Sequence, residues 1–216
     1  MGGSKGSEGL KKGISLEDYT PEKVAVRIEE YRQHIRDELR PGTRGHPDES
    51  LVVAFIDYLD NQAKRFAETL IEPMDLLALT CRNLLELRYL VVEVFSTLES
   101  RNLFIGEMYL DSEEIRMRAQ RMGIPEHMLN TEPPDWDTIP DKRFTIKRDV
   151  YDDYMFKLSS KCIHPTAVSI LAPPAMPGTF IFYLFGLNCL GRSYNFLSTQ
   201  VFPNEESWKA FVAQQP

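Results

Sequence analysis

Cysteine is scarce in this chain. Its three residues, Cys81, Cys162 and Cys189, lie far apart, each on a predicted helix, and no CxxC pair occurs. An odd, widely spaced set excludes a disulfide framework and the paired-cysteine zinc motifs. Buried reduced thiols are the plain reading; a zinc site shared with His164 is the alternative. Positive charge is also short: 25 Lys and Arg stand against 32 Asp and Glu, a formal net charge of -7. Proteins that live on nucleic acid carry a basic footprint, so broad nucleic-acid binding is disfavoured, while a local cationic pocket is not.

Long apolar runs are lacking as well. No charged side chain lies between His164 and Arg192, but Pro165, Pro173, Pro174 and Pro177 break that stretch. Its densest part, Thr179 to Leu190, falls short of the about 20 apolar residues a membrane-spanning helix needs. A buried helix reached through a proline-rich turn is expected instead, with no membrane role. Met1 to Gly13 is rich in Gly, Ser and Lys and has no apolar h-region, so residues 1–19 are expected to form a disordered tail and not a signal peptide. A cytoplasmic location is the corresponding expectation. Catalytic signatures are absent too: there is no phosphate-binding glycine loop, no nucleophile elbow and no HExxH. No cofactor or metal is implied.

What remains is helical periodicity. Thr20 can cap a helix with Pro21 in its first position, and Val24, Ile28, Tyr31, Ile35 and Leu39 form one apolar stripe before Pro41-Gly42. A second helix is predicted from about Asp48 to Ile71 and a third from about Met74 to Glu99. Leucine and valine cover well over half the circumference of the third, which places it at the centre of a domain. A shorter piece is expected from about Asp111 to Met122. Residues 124–147 hold four prolines and no helical period; a long, mobile insertion is expected, with Arg143 to Lys147 as an isolated strand. A fourth long helix runs from about Asp149 to Ile163, with Tyr151, Tyr154, Met155, Leu158 and Cys162 on one face. The last core helix spans about Thr179 to Val201, and a terminal helix follows from about Asn204 to Ala213. The expected fold is all-α: one helical bundle of five to six main helices over residues 20–216, with the proline-rich insertion.

Polar residues on core helices are the candidates for function. At about 100° per residue, Arg82, Glu86 and Tyr89 share a sector of the third helix, and Arg82 can pair with Glu86 four residues on. On the last core helix Asn188, Arg192, Asn195 and Thr199 form a polar line. Both stripes read equally as solvent-facing edges or an architectural pair, or as two sides of an internal polar pocket. In the pocket reading Arg82 and Arg192 hold an anion, Glu86 orients Arg82, and Asn188, Asn195 and Tyr154 add hydrogen bonds. The third feature is Ser159-Ser-Lys-Cys-Ile-His164, where Pro165 places His164 at a helix end. There His164 is either a cap or a proton-transfer group.

The segments Cys81 to Tyr89 and Tyr154 to His164 resemble the two recognisable stretches of an uncharacterised bacterial all-helical family, over about Leu51 to Leu171. A looser resemblance is to HEPN domains, helical bundles of bacterial defence and toxin systems, some of them ribonucleases. Their motif puts an arginine ahead of a histidine with four to six residues between them. Ahead of His164 that window holds only Lys157, with Lys161 closer in; Arg27 with His34 and Arg121 with His127 meet the bare spacing. Lysine supplies charge without the guanidinium fork. Three readings follow. The first is an accessory or sensor domain, possessing a polar internal pocket, that binds a small polar or anionic ligand or a protein partner. The second is a HEPN-like ribonuclease with His164 as acid-base and Lys161 or Arg82 stabilising the phosphorane. The third is a structural homodimerisation module.

Overall fold

The computed structural model describes residues 16–123, 149–163 and 179–214. The insertion expected at 124–147, the proline-rich turn and His164 lie outside the described residues. The chain is an all-α helical bundle, with no strand among the described residues. It contains α1 (Pro21–His34), α2 (Glu49–Thr69), α3 (Met74–Ser96), α4 (Leu98–Arg121), α5 (Val150–Ile163), α6 (Thr179–Val201) and α7 (Glu205–Val212).

Described structure begins earlier than Thr20. Leu16–Tyr19 form a 3-10 turn against α1 and α6, with Tyr19 packed on the core. Thr20 then caps α1, its hydroxyl accepting from the Lys23 N–H at 3.4 Å, and Pro21 fills the first turn. A π turn, Ile35–Leu39, carries the same apolar stripe on, burying Ile35 and Leu39.

α3 is the hub. It packs against α6, α5, α2 and α4, and Leu77, Cys81, Leu84, Leu85, Leu87 and Val91 are almost fully buried. Leu76, Leu79 and Val92 stay exposed, so its apolar circumference is wider than the face it buries. α6 is the second inner helix. Its Gly186 lies against the Phe66 ring of α2, where a Cβ would stand 2.4 Å from Cζ.

Two elements differ from expectation. α4 begins at Leu98, thirteen residues before the predicted Asp111. Thr97, extended at φ -145°, breaks the axis after α3, and the Ser100 N–H bonds to the Thr97 hydroxyl at 3.0 Å to open the new helix. α5 buries Met155 and Cys162 of its expected face but is rotated away from the rest of it. Asp152, Met155, Ser159 and Cys162 are buried, whereas Tyr151 and Tyr154 point outward. A carboxylate that finds a cation inside sets the rotation of this helix.

Candidate functional site

Arg88 interrupts the most buried face of α3, between Leu84 and Val91. A guanidinium placed there needs a counter-charge. Asp152 in the first turn of α5 supplies it, with Arg88 Nη1 at 2.8 Å from Asp152 Oδ2. The two side chains are only 13% and 2% exposed, so water screens the pair little. The Tyr89 hydroxyl donates to the same carboxylate oxygen and accepts from the Asp149 N–H at 3.1 Å. Asp149 Oδ1 in turn accepts from the Asp152 N–H at 2.8 Å, capping α5. α3 therefore grips the start of α5 through one closed network.

The network shifts its own acidities. Burial first, and then the bond to Asp152, push the Tyr89 phenol up to about 12. The backbone N–H of Asp152 holds the Asp149 carboxyl below its usual range. Burial lifts Cys189 to about 12, with Arg88 pulling the other way. Burial also raises Cys81, whose thiol donates to the Phe182 carbonyl at 3.2 Å, and Cys162. All three cysteines are buried free thiols. Thiolate is the reactive form, so a thiol-disulfide reagent at pH 8 is expected to leave them untouched until denaturant is added. Groups with raised folded values keep their protons longer in the native state than in the unfolded one. Their stabilisation is whole below the unfolded values, near 9 for Cys189 and 10 for Tyr89, and is lost as pH climbs toward about 12. The urea midpoint should fall across that alkaline window; a flat midpoint from pH 9 to 12 would contradict this account.

The predicted site residues divide. Arg82, Glu86 and Tyr89 do share a face, and that face meets α5. Arg82 Nε lies 3.2 Å from Glu86 Oε1, its Nη1 donates to the Ser160 hydroxyl at 3.3 Å, and its guanidinium stacks over Phe156 at 4.2 Å. At 27% and 38% exposure the Arg82–Glu86 pair is a half-wet helix pair, a class contributing about 0.3–0.5 kcal/mol. Asn188, Arg192, Asn195 and Thr199 are all exposed along α6, the solvent-edge alternative. Arg192 thus stands at the surface, while Arg82 is turned into the α3–α5 contact. Tyr154 is 63% exposed, away from the interior in which it was expected. Asn188 lines a small recess of about 210 Å³ with Tyr19, Arg27 and Tyr31. Lys161 is exposed near the end of α5. Arg27 lies over the Tyr19 ring at 5.2 Å and His34 Nδ1 lies 2.9 Å from Glu38, so that arginine and histidine are engaged separately.

A larger opening lies elsewhere, and sequence reasoning missed it. The turn after α1 and the end of α6 with α7 enclose a cleft of about 520 Å³. This falls in the 300–1,000 Å³ range of small-molecule sites. Arg44, His46, Gln200 and Gln214 supply its polar lining, over Phe202 and Phe211. The turn that carries Arg44 and His46 is fixed from several directions. The Thr43 hydroxyl donates to the Arg40 carbonyl at 2.8 Å, and the Gly45 N–H to Glu49 at 3.1 Å. Gly45 sits at φ +79°, a conformation that favours glycine. A Cβ on Gly42 would fall 2.3 Å from the Phe202 ring, so the turn lies directly on the end of α6. Asp48 is paired with Arg101 of α4, and its N–H donates to His46 Nδ1 at 3.0 Å. A neutral His46 held this way keeps its proton on Nε2, as a donor. No ion pair of Arg44 exists among the described residues.

Among the described residues, no group of three His, Cys, Asp or Glu side chains is placed to hold a metal ion, and no helix is long and apolar enough to cross a membrane. No protein-family model matches the chain, and neither a curated protein nor a solved structure matches it.

Proposed function

We propose that this chain is a helical accessory or sensor domain that binds a small polar or anionic ligand in the cleft between the 41–47 turn and α7. The observation that carries the reading is the meeting of Arg44, which has no ion pair among the described residues, with an aromatic floor in a cleft of ligand size. Arg44 and the His46 Nε2–H offer charge-assisted hydrogen bonds to an anion, and Phe202 and Phe211 offer apolar area. The arginines of α3 have counter-charges from their own chain, so the α3–α5 seam serves as framework in this reading. The resemblance to HEPN bundles supports a setting in bacterial defence. The ribonuclease alternative depends on His164, outside the described residues.

Equilibrium dialysis against 3-phenylpropionate, a carboxylate on a flat apolar body, tests the proposal. Saturable binding is expected, weakened about tenfold in Arg44→Ala by loss of one charge-assisted hydrogen bond. Arg82→Met should bind as the wild type does. Loss of binding in Arg82→Met with retention in Arg44→Ala would move the site back to the α3–α5 seam.

A further inference from the structure

The cleft has a second polar wall, of opposite character to the first. α6 ends at Val201, and Gln200 and Val201 line the cleft. A helix leaves its last carbonyls without intrahelical donors, and here the following residues do not supply them. Pro203 has no N–H, so the Thr199 carbonyl loses its donor four residues on. The Asn204 N–H turns instead to the Ser207 hydroxyl, at 3.5 Å, closing the capping box of α7. The Phe202 N–H is taken by Ser198, at 2.7 Å. Among the described residues, the carbonyls of Thr199, Gln200 and Val201 accept no hydrogen bond. The C-terminal end of a helix carries about half a negative elementary charge, which favours a cation within its last turn.

The cleft therefore joins a donor wall (Arg44 and His46), an acceptor wall at the end of α6, and an aromatic floor whose Phe202 and Phe211 centroids are 5.2 Å apart. We infer that its ligand is a free amino acid with an aromatic or large apolar side chain. Such a molecule carries a carboxylate for the first wall, an ammonium for the second and a hydrophobic group for the floor. A simple carboxylic acid answers only one wall. A phosphate ester brings more negative charge against the carbonyl wall and nothing to pair with it. A lone amine leaves Arg44 uncompensated and repelled. The inference rests on the ligand-binding reading of the cleft and adds the chemical class.

Calorimetric titration of the full chain with L-phenylalanine, 3-phenylpropionate and 2-phenylethylamine tests it. These three share the ring and differ in which charged groups they carry. L-Phenylalanine is expected to bind at least about tenfold more tightly than either half-analogue, the factor that one charge-assisted hydrogen bond supplies. Arg44→Ala should weaken L-phenylalanine and 3-phenylpropionate alike and leave 2-phenylethylamine bound as well as before or better, since a like charge is removed. Equal affinity for L-phenylalanine and 3-phenylpropionate would overturn the amino-acid assignment while leaving the anion-binding reading standing. Heat from none of the three would sink both.

Discussion

Asp152→Ala is expected to cost about 3–5 kcal/mol of folding stability, the cost of stranding one member of a buried ion pair. Arg88 would remain in a site that is 13% exposed with no carboxylate at 2.8 Å. The Tyr89 hydroxyl would lose its acceptor in the same step. Asp152→Asn should cost less, because it keeps an acceptor for Tyr89 and removes only the charge. The paired change Arg88→Met with Asp152→Leu removes both charges and keeps volume, so most of the stability should return. Urea unfolding at neutral pH reads all three. A loss below about 1 kcal/mol for Asp152→Ala, the level of exposed pairs, would mean that water screens this pair.

Phe66→Ala is expected to cost a similar amount, about 3–5 kcal/mol, for a different reason. Phe66 is fully buried, and its ring lies where a side chain on Gly186 would otherwise sit, so its removal opens a void between α2 and α6. The reverse intrusion, Gly186→Ala, should cost about 1–3 kcal/mol, since the new methyl meets a ring packed on all sides. The two positions share one volume. Gly186→Ala in a Phe66→Leu background should be nearly harmless, a coupling visible in a double-mutant cycle. Additivity within about 0.5 kcal/mol would show that the two positions are energetically independent.

The helical frame was readable because α3 and α6 are long and apolar on most of their faces, so periodicity marks them whatever they pack against. The first thirteen residues of α4 are hard to read in the sequence. Residues 98–110 mix Glu, Ser, Arg and Asn with Leu and Phe, include Gly106, and follow α3 without a proline or glycine break. The inner face of α5 is legible only at Met155 and Cys162, because tyrosine counts as apolar in a periodicity argument and aspartate as polar. Asp152 goes inward only because Arg88 waits there. That partnership had left a trace: Arg88 falls on the stripe of Cys81, Leu84 and Val91, where a charge is out of place. Arg82, Glu86 and Tyr89 share the face of α3 that meets α5, through Ser160 and Asp152, a contact that their spacing alone does not indicate. The α6 line of Asn188, Arg192 and Asn195 marks an outer edge. The cleft was not legible. Arg44 and His46 lie in a short turn that becomes a wall only when Gly42 docks on Phe202, about 160 residues away in sequence.

The Arg88–Asp152 pair of the α3–α5 seam holds the fold together, while the proposed ligand site is the cleft beyond α1. One measurement separates these roles directly: the ¹H–¹⁵N amide spectrum of the protein as 3-phenylpropionate is added. Saturating shifts should cluster at Gly42, Gly45, Gln200 and Phe211, with Arg82, Glu86 and Asp152 unmoved. Shifts centred on Arg82, Glu86 and Ser160, with the 41–47 turn silent, would contradict the account.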